Sequence, residues 1–119
     1  MITQQAGQQA EQKALHYLLG QGLKLVTRNY SCRMGEIDLI MKDGAHLVFI
    51  EVRSRSNMNF GDGAMSITYA KRQKIIKTTS FYMIKHNIQE KFPIRFDVIA
   101  INGKSGAMSW IKDAFNVDY

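Results

Sequence analysis

The stretch GEIDLIMKDGAHLVFIEVRSRS, from Gly35 to Ser56, decides which fold the sequence predicts. Two mainly apolar runs, EIDLIM and HLVFIEVR, flank Asp43-Gly44, a dipeptide typical of two-residue hairpin turns. The pattern predicts a β-hairpin. Three carboxylates interrupt its runs, although strands that served only as scaffold would favour β-branched or aromatic residues there.

The turn sets which side chains of the hairpin face each other. With Asp43-Gly44 as the two central residues, Glu36 is predicted opposite Glu51 and Asp38 diagonal to Glu51. Because side chains alternate along each strand, we expect one face to carry Glu36, Asp38, Glu51 and Arg53. The other face is expected to be apolar, with Ile37, Leu39, Met41, Val48, Ile50 and Val52. A four-residue loop would keep these faces, whereas a loop of odd length would not.

Two interpretations of the acidic face are open. Glu36 and Glu51, as opposed like charges, would destabilise the hairpin unless a bound metal ion or a nearby arginine neutralised them, so Glu36 joins Asp38 and Glu51 as a candidate metal ligand. Mg²⁺ needs only one or two carboxylates beside water and phosphate oxygens. Such an ion supports phosphodiester hydrolysis, with Arg53 placed to hold a phosphate. Alternatively, the acids form a solvated face that the arginines balance. Apolar Ile40, Leu47 and Phe49 share this face and indicate that it is partly covered, which favours a site.

The rest of the chain predicts two helices and three further strands. Helical spacing runs from Gln4 to Leu19, and an edge strand follows from Leu23 to Tyr30. After the hairpin comes a polar, glycine-containing loop and then a second helix from about Ile67 to Lys85. PIRFDVIAI after Pro93 predicts a strand buried on both faces, and AMSWI the last strand. The predicted class is α/β (α+β), a central mixed sheet flanked by helices in the order αβββαββ.

Composition limits the classes of protein. A chain of 119 residues predicts a single domain over residues 1–119. A formal net charge of +6 and a pI near 9.6 fit a polyanionic partner such as nucleic acid. A single cysteine, Cys32, excludes an internal disulfide, and no Cys/His set has zinc spacing. Without a leader or a long apolar run, we expect a cytoplasmic protein that does not span a membrane.

The second helix adds candidate nucleic-acid contacts. Lys71 and Arg72 lie in its first turn, where the helix dipole disfavours cations by about 0.3 to 1 kcal/mol each. Phosphate contact would offset that cost, although solvated side chains are equally compatible. Gln73 could orient water or backbone, and Lys74 and Arg55 complete the predicted contacts.

Asp97 is the lone acid of the run RFDVIAI. We expect a buried partner such as an arginine in preference to a direct role in the site.

Five segments together resemble a known family. The spacing D-x(12)-E-V-[K/R], formed by Asp38, Glu51, Val52 and Arg53, resembles the PD-(D/E)XK motif of the restriction-endonuclease-like superfamily. AGQQAEQKALHYL, GEIDLI, VFIEVRSRS, AKRQKI and RFDVIAI, in this order, resemble the uncharacterised bacterial YraN family of predicted endonucleases, related in fold to archaeal Holliday junction resolvases. The resemblance covers nearly the whole chain.

The resemblance implies a restriction-endonuclease-like fold and a nuclease that uses Mg²⁺ or Mn²⁺ on DNA, including branched or recombination intermediates. It assigns metal binding to Asp38 and Glu51, adds Glu11 as a helix-borne ligand and places Arg53 at the motif lysine. Arginine stays protonated and cannot be the general base, so Arg53 would act electrostatically. The alternative is a nucleic-acid-binding accessory module of DNA repair or recombination with little or no catalysis. Resolvase-like relatives pair two sites, so a homodimer is compatible with the resemblance.

Overall fold

The computed structural model describes the backbone of residues 2–55, 67–89 and 92–116, and the side chains of these residues except 2–6 and 55. The elements follow one another as α1 (Ile2–Gly20), β1 (Lys24–Cys32), β2 (Gly35–Asp43), β3 (His46–Arg55), α2 (Tyr69–Lys85), β4 (Ile94–Asn102) and β5 (Met108–Ile111). The predicted mixed α/β class is confirmed, with two helices and five strands in one sheet. Most of the predicted polar loop lies outside the described residues.

The sheet has the order β1-β2-β3-β4-β5. Consecutive strands pair antiparallel except β3 and β4, which are parallel, because the chain between them includes α2 and returns to the same end. β1 lies at the edge, as predicted. β4 is buried from Phe96 to Ile101, which confirms the strand predicted to be buried on both faces.

Each face of the sheet is covered by one helix. On one face α1 packs with Ala10, Ala14, Leu15 and Leu18 against side chains of β2, β3 and β4. On the other face α2 packs with Ile75, Tyr82 and Met83 in a separate apolar cluster. Thr68 caps α2, since its Oγ1 accepts a hydrogen bond from Lys71 N at 3.2 Å. No helix in the part of the chain that the structure describes is long and apolar enough to cross a membrane.

The hairpin register differs from the predicted one by two residues. Asp43 pairs with His46 in the strands, so Gly44 and Ala45 are the central residues of the turn. Gly44 has φ +61°, which suits the first central position of a type II′ turn. Asp43 is held in β2 because its Oδ2 accepts a hydrogen bond from Arg95 Nη2 of β4 at 2.9 Å. The prediction that Glu36 faces Glu51 is therefore wrong.

The predicted faces hold for most of the hairpin, because a shift of two residues keeps the alternation. Leu39, Met41, Val48 and Ile50 lie in the α1 cluster, as predicted. Ile37 does not, since it packs with Ile40 in the α2 cluster. The alternation breaks near Asp38, just beyond the last β2–β3 pair, Leu39–Ile50.

Asp97 has the arginine partner that the sequence predicts. It is fully buried, and both its oxygens accept hydrogen bonds from Arg95, at 2.9 and 2.8 Å. Trp110 Nε1 and the backbone N of Asp113 also donate to it, at 2.9 and 3.0 Å. Four hydrogen bonds satisfy this carboxylate, so its role is structural.

Candidate active site

Two carboxylates meet where β2 leaves β3. Asp38 and Glu51 each lie one residue beyond the last β2–β3 pair, Leu39–Ile50. Asp38 Oδ2 accepts a hydrogen bond from Val52 N at 2.8 Å, in place of a backbone acceptor. The Asp38 and Glu51 side chains also hydrogen-bond to each other. The end of the ladder thus frees a backbone donor that fixes Asp38 beside Glu51.

Glu51 is a buried acid, with a side chain only 10% exposed. Burial raises its pKa from the ordinary 4.5 to about 8, and the charge of Asp38 and the hydrogen bond between the two acids add to the rise. The Lys71 ammonium opposes it. Near neutral pH Glu51 is therefore mainly protonated.

Lys71 connects α2 to this pair of acids. Its Nζ lies 3.3 Å from Glu51 Oε1, and its side chain is 55% exposed. The sequence places this lysine among nucleic-acid contacts but does not predict that it pairs with Glu51. One feature of the sequence could have indicated this pairing: Lys71 lies in the first turn of a helix, where the helix dipole disfavours a cation unless an anion lies nearby.

Glu11 approaches the same acids from α1. It lies one turn before Leu15, at the margin of the buried side of the helix, and is half-buried. Burial raises its pKa, and the charge of Asp38 raises it further, whereas Arg28 lowers it. Its Oε1 is buried and meets no hydrogen-bond donor in the described part of the chain. The structure therefore brings Glu11 into the electrostatic neighbourhood of Asp38, while its assignment as a metal ligand stays a prediction.

Glu36 lies near the start of β2, two residues before Asp38. It is exposed and pairs with Ser31 of β1. Its charge adds to the rise in the pKa of Glu11, although it is the last of the contributions. It also lines a groove of about 390 Å³ with residues from the start of α2, among them Lys71 and Lys74.

The other predicted basic residues divide into two groups. Arg53 is half-buried in β3, in register with Ala100 of β4. The side chain of Arg55 lies outside the described residues. In α2, Arg72 lies 5.8 Å from the Tyr69 ring centroid.

Two nitrogens of α2 are buried without a hydrogen-bond acceptor in the described part of the chain: Arg72 Nε and Gln73 Nε2. Buried donors of this kind ordinarily have a partner.

The acids form a pair and not a closed cage. Within residues 7–54, 67–89 and 92–116, no three His, Cys, Asp or Glu side chains converge closely enough to hold a metal ion by themselves. Asp38 and Glu51 alone are an oxygen donor set of the size that Mg²⁺ uses when water and phosphate supply the remaining ligands.

Comparison with known proteins identifies relatives across most of the chain. The profile described as "Uncharacterised protein family UPF0102" matches residues 10–101. A UPF0102 protein of Legionella pneumophila (strain Corby) is 67% identical over 97% of this chain and 98% of its own length. One from Nitrosococcus oceani is 49% identical over 94% of this chain and 92% of its own. These matches confirm the YraN-type family resemblance, while the placement in the nuclease superfamily stays a prediction.

Proposed function

The chain belongs to the uncharacterised protein family UPF0102, and from that premise we propose that it is a cytoplasmic, metal-dependent nuclease that hydrolyses phosphodiester bonds in DNA. One observation carries the proposal: Asp38 and Glu51, from two strands, are hydrogen-bonded to each other, with Glu51 buried. Burial, with the charge of Asp38 beside it, raises the pKa of Glu51 to about 8 despite the opposing Lys71, and shifts of this size are typical of functional sites.

The residues of the site fit a hard divalent cation. Carboxylate oxygens are the ligands that Mg²⁺ and Mn²⁺ prefer. Asp38 and Glu51 would hold the ion. Glu11 has a buried oxygen without a donor but does not converge with the pair into a three-acid cluster, so its role as a ligand rests on the family resemblance. Glu36 is exposed and pairs with Ser31 of β1, so its role as a ligand rests on the sequence prediction alone. When bound, the ion would supply an activated water and polarise the phosphorus centre.

In this proposal the cationic side chains bind the DNA phosphates and stabilise the transition state. Arg53, two residues beyond Glu51 on β3, would bind a phosphate oxygen and stabilise charge that develops in the transition state. Lys74 and Arg72 at the start of α2 would position the DNA backbone, with Gln73 orienting water or backbone and Arg55 extending the contacts. These roles require positively charged side chains, and the formal net charge of +6 is consistent with binding to a polyanion.

The architecture is compatible with a restriction-endonuclease-like fold. A helix carrying an acid, a hairpin carrying two more and a parallel strand reached through α2 lie around one end of the β2–β3 ladder. The proposed role in DNA repair or recombination rests on the family resemblance. A homodimer that pairs two such sites would cut both strands.

A catalytically weak nucleic-acid-binding module is the second candidate. Two observations favour it. The motif position holds Arg53, which cannot exchange a proton, and in the metal-free protein the raised pKa of Glu51, about 8, keeps a proton on that acid near neutral pH.

Cleavage assays distinguish the two functions. The protein is incubated with branched, single-stranded and duplex DNA and with RNA, in Mg²⁺, Mn²⁺ or EDTA. The matched variants are Asp38→Asn and Glu51→Gln. Asp113→Asn is the control, because Asp113 is exposed and its φ of +54° is one that asparagine tolerates.

The nuclease proposal expects cleavage that requires the metal, survives Asp113→Asn and is lost in both site variants. Cleavage that persists in Asp38→Asn and Glu51→Gln would overturn the proposed site. Salt-sensitive binding without cleavage would establish the accessory module instead.

A further inference from the structure

Lys71 occupies the position that a positive ion would take beside Glu51. Its Nζ lies 3.3 Å from Glu51 Oε1, and the partner of Glu51 in the acid pair is Asp38. An ammonium and a divalent cation cannot both stay this close to one carboxylate without mutual repulsion. A metal ion that binds the Asp38–Glu51 pair must therefore displace Lys71 from Glu51.

We propose that Lys71 is the counter-ion of the metal-free site and that a divalent cation displaces it from Glu51 towards the phosphate backbone of the DNA. The inference rests on the proposed function and deepens it, since it assigns a positioning residue that links metal loading to DNA binding. Neither the sequence motif nor the strand position of Arg53 indicates this link.

The exposure of Lys71 allows the exchange. Its side chain is 55% exposed, whereas Glu51 is 10% exposed, so the acid is fixed and the lysine has room to move. Lys71 N is also held by the N-cap Thr68 at 3.2 Å, so α2 keeps its place while the long side chain changes direction. A flexible four-carbon stem suits such a movement better than a guanidinium fork.

The groove at the start of α2 is the place to which Lys71 would turn. Thr68, Lys71 and Lys74 line it together with Glu36. The amino-terminal end of a helix favours an anion, and a second lysine strengthens that preference. A phosphate on the lysine side of the groove would bring Lys71 and Lys74 to the same backbone segment.

The displacement can be read from the reactivity of the lysines themselves. The full chain, without DNA, is acetylated briefly with an amine-reactive ester in EDTA or in Mg²⁺, and each lysine is quantified by mass spectrometry. We expect Mg²⁺ to increase the labelling rate of Lys71 by about threefold or more, because release from a carboxylate exposes its amine. Lys77, exposed on the same helix, is the internal control and should not change.

Two variants separate this inference from the proposed function. If Mg²⁺ binds Glu51→Gln and Asp38→Asn as tightly as the unaltered protein by calorimetry, the proposed metal site is wrong. If Mg²⁺ binding requires both acids but the labelling of Lys71 stays constant, the site stands and the displacement is wrong. In Glu51→Gln, Mg²⁺ should no longer change the labelling of Lys71.

DNA binding tests where the displaced lysine goes. With Ca²⁺ in place of Mg²⁺, Lys71→Met should weaken binding of a duplex oligonucleotide about tenfold, but only about twofold in EDTA. Lys74→Met, the matched control on the same helix, should weaken binding equally in both conditions. An equal loss for Lys71→Met with and without Ca²⁺ would contradict the proposed exchange.

Discussion

Replacing Glu51 by glutamine should remove a pH dependence from the stability of the metal-free protein. Glu51 has a pKa of about 8 in the folded chain, against an ordinary value of 4.5. Below pH 4.5 the acid is protonated in both states and contributes no pH dependence. Between pH 4.5 and pH 8 the folded state holds a proton that the unfolded state has released, so stability falls as pH rises. Above pH 8 the loss is complete.

The size of the effect follows from the pKa difference. One pH unit corresponds to about 1.4 kcal/mol, so the loss is on the order of 3 kcal/mol at pH 7 and 5 kcal/mol above pH 8. Glutamine can donate to Asp38 as the protonated acid does, and it carries no charge to bury. Glu51→Gln should therefore match the unaltered protein near pH 4.5 and exceed its stability by a few kcal/mol at pH 8.

Urea unfolding from pH 4.5 to pH 9 in EDTA measures the difference. The fluorescence of Trp110, the only tryptophan in the chain, reports the transition. Groups common to both proteins, including Glu11, cancel when the two curves are subtracted. Glu36→Gln is the control, since it removes the same charge from an exposed position and should leave the slope unchanged.

Parallel curves for the unaltered protein and Glu51→Gln would refute the reasoning, because they would mean that burial does not hold the proton on Glu51. Saturating Mg²⁺ should raise the stability of the unaltered protein most at high pH, where the acids are ionised, and should have little effect on Glu51→Gln.

Three further predictions concern other parts of the molecule. Gly35→Ala should lower the free energy of unfolding, measured with urea, by about 1 to 3 kcal/mol, because φ is +152° and the added Cβ would lie 3.0 Å from Thr78 Oγ1. Gly7→Ala, whose Cβ would meet no atom within 4 Å, should instead stabilise the protein by about 0.5 to 1 kcal/mol. Asp97→Ala should cost about 3 to 5 kcal/mol, because it removes a buried carboxylate that pairs with the half-buried Arg95. Trp110 emission should shift in the folded state, and a cost below about 1 kcal/mol would contradict the structural role of Asp97. The logarithm of DNA affinity should fall linearly with the logarithm of salt concentration, and Lys74→Met should reduce the slope by about one, so a slope near zero would exclude a phosphate contact.

Much of the fold is determined by local sequence. Apolar spacing specifies two helices, and alternation with turn residues specifies the strands, so their bounds lie within a few residues of the predicted ones. The lone acid Asp97 in an apolar strand was enough to predict a buried arginine partner, because an unpaired buried charge is too costly. The assignment of most hairpin side chains to the two faces of the sheet could also be predicted, because it depends only on the turn having an even number of residues.

The register of the hairpin was decided by a tertiary contact. Asp43-Gly44 favours a turn centred on that dipeptide, but Arg95 of β4 holds the Asp43 carboxylate at 2.9 Å and keeps the residue in the strand. The turn moves to Gly44-Ala45, and the ladder ends at Leu39–Ile50, which leaves Asp38 and Glu51 one residue beyond it. No local pattern around the turn contains the position of an arginine more than fifty residues away.

The sequence by itself determined which residues carry the candidate chemistry: the acids Asp38 and Glu51 and the cations around them. Only the tertiary structure decided the protonation of Glu51 and its pairing with Lys71. Burial of Glu51 between two packed layers raises its pKa, and the docking of α2 places Lys71 at 3.3 Å from it. The dielectric environment and the distances between charges are properties of the packed chain. The sequence could therefore identify the ionisable groups but not how burial and neighbouring charges shift their pKa values.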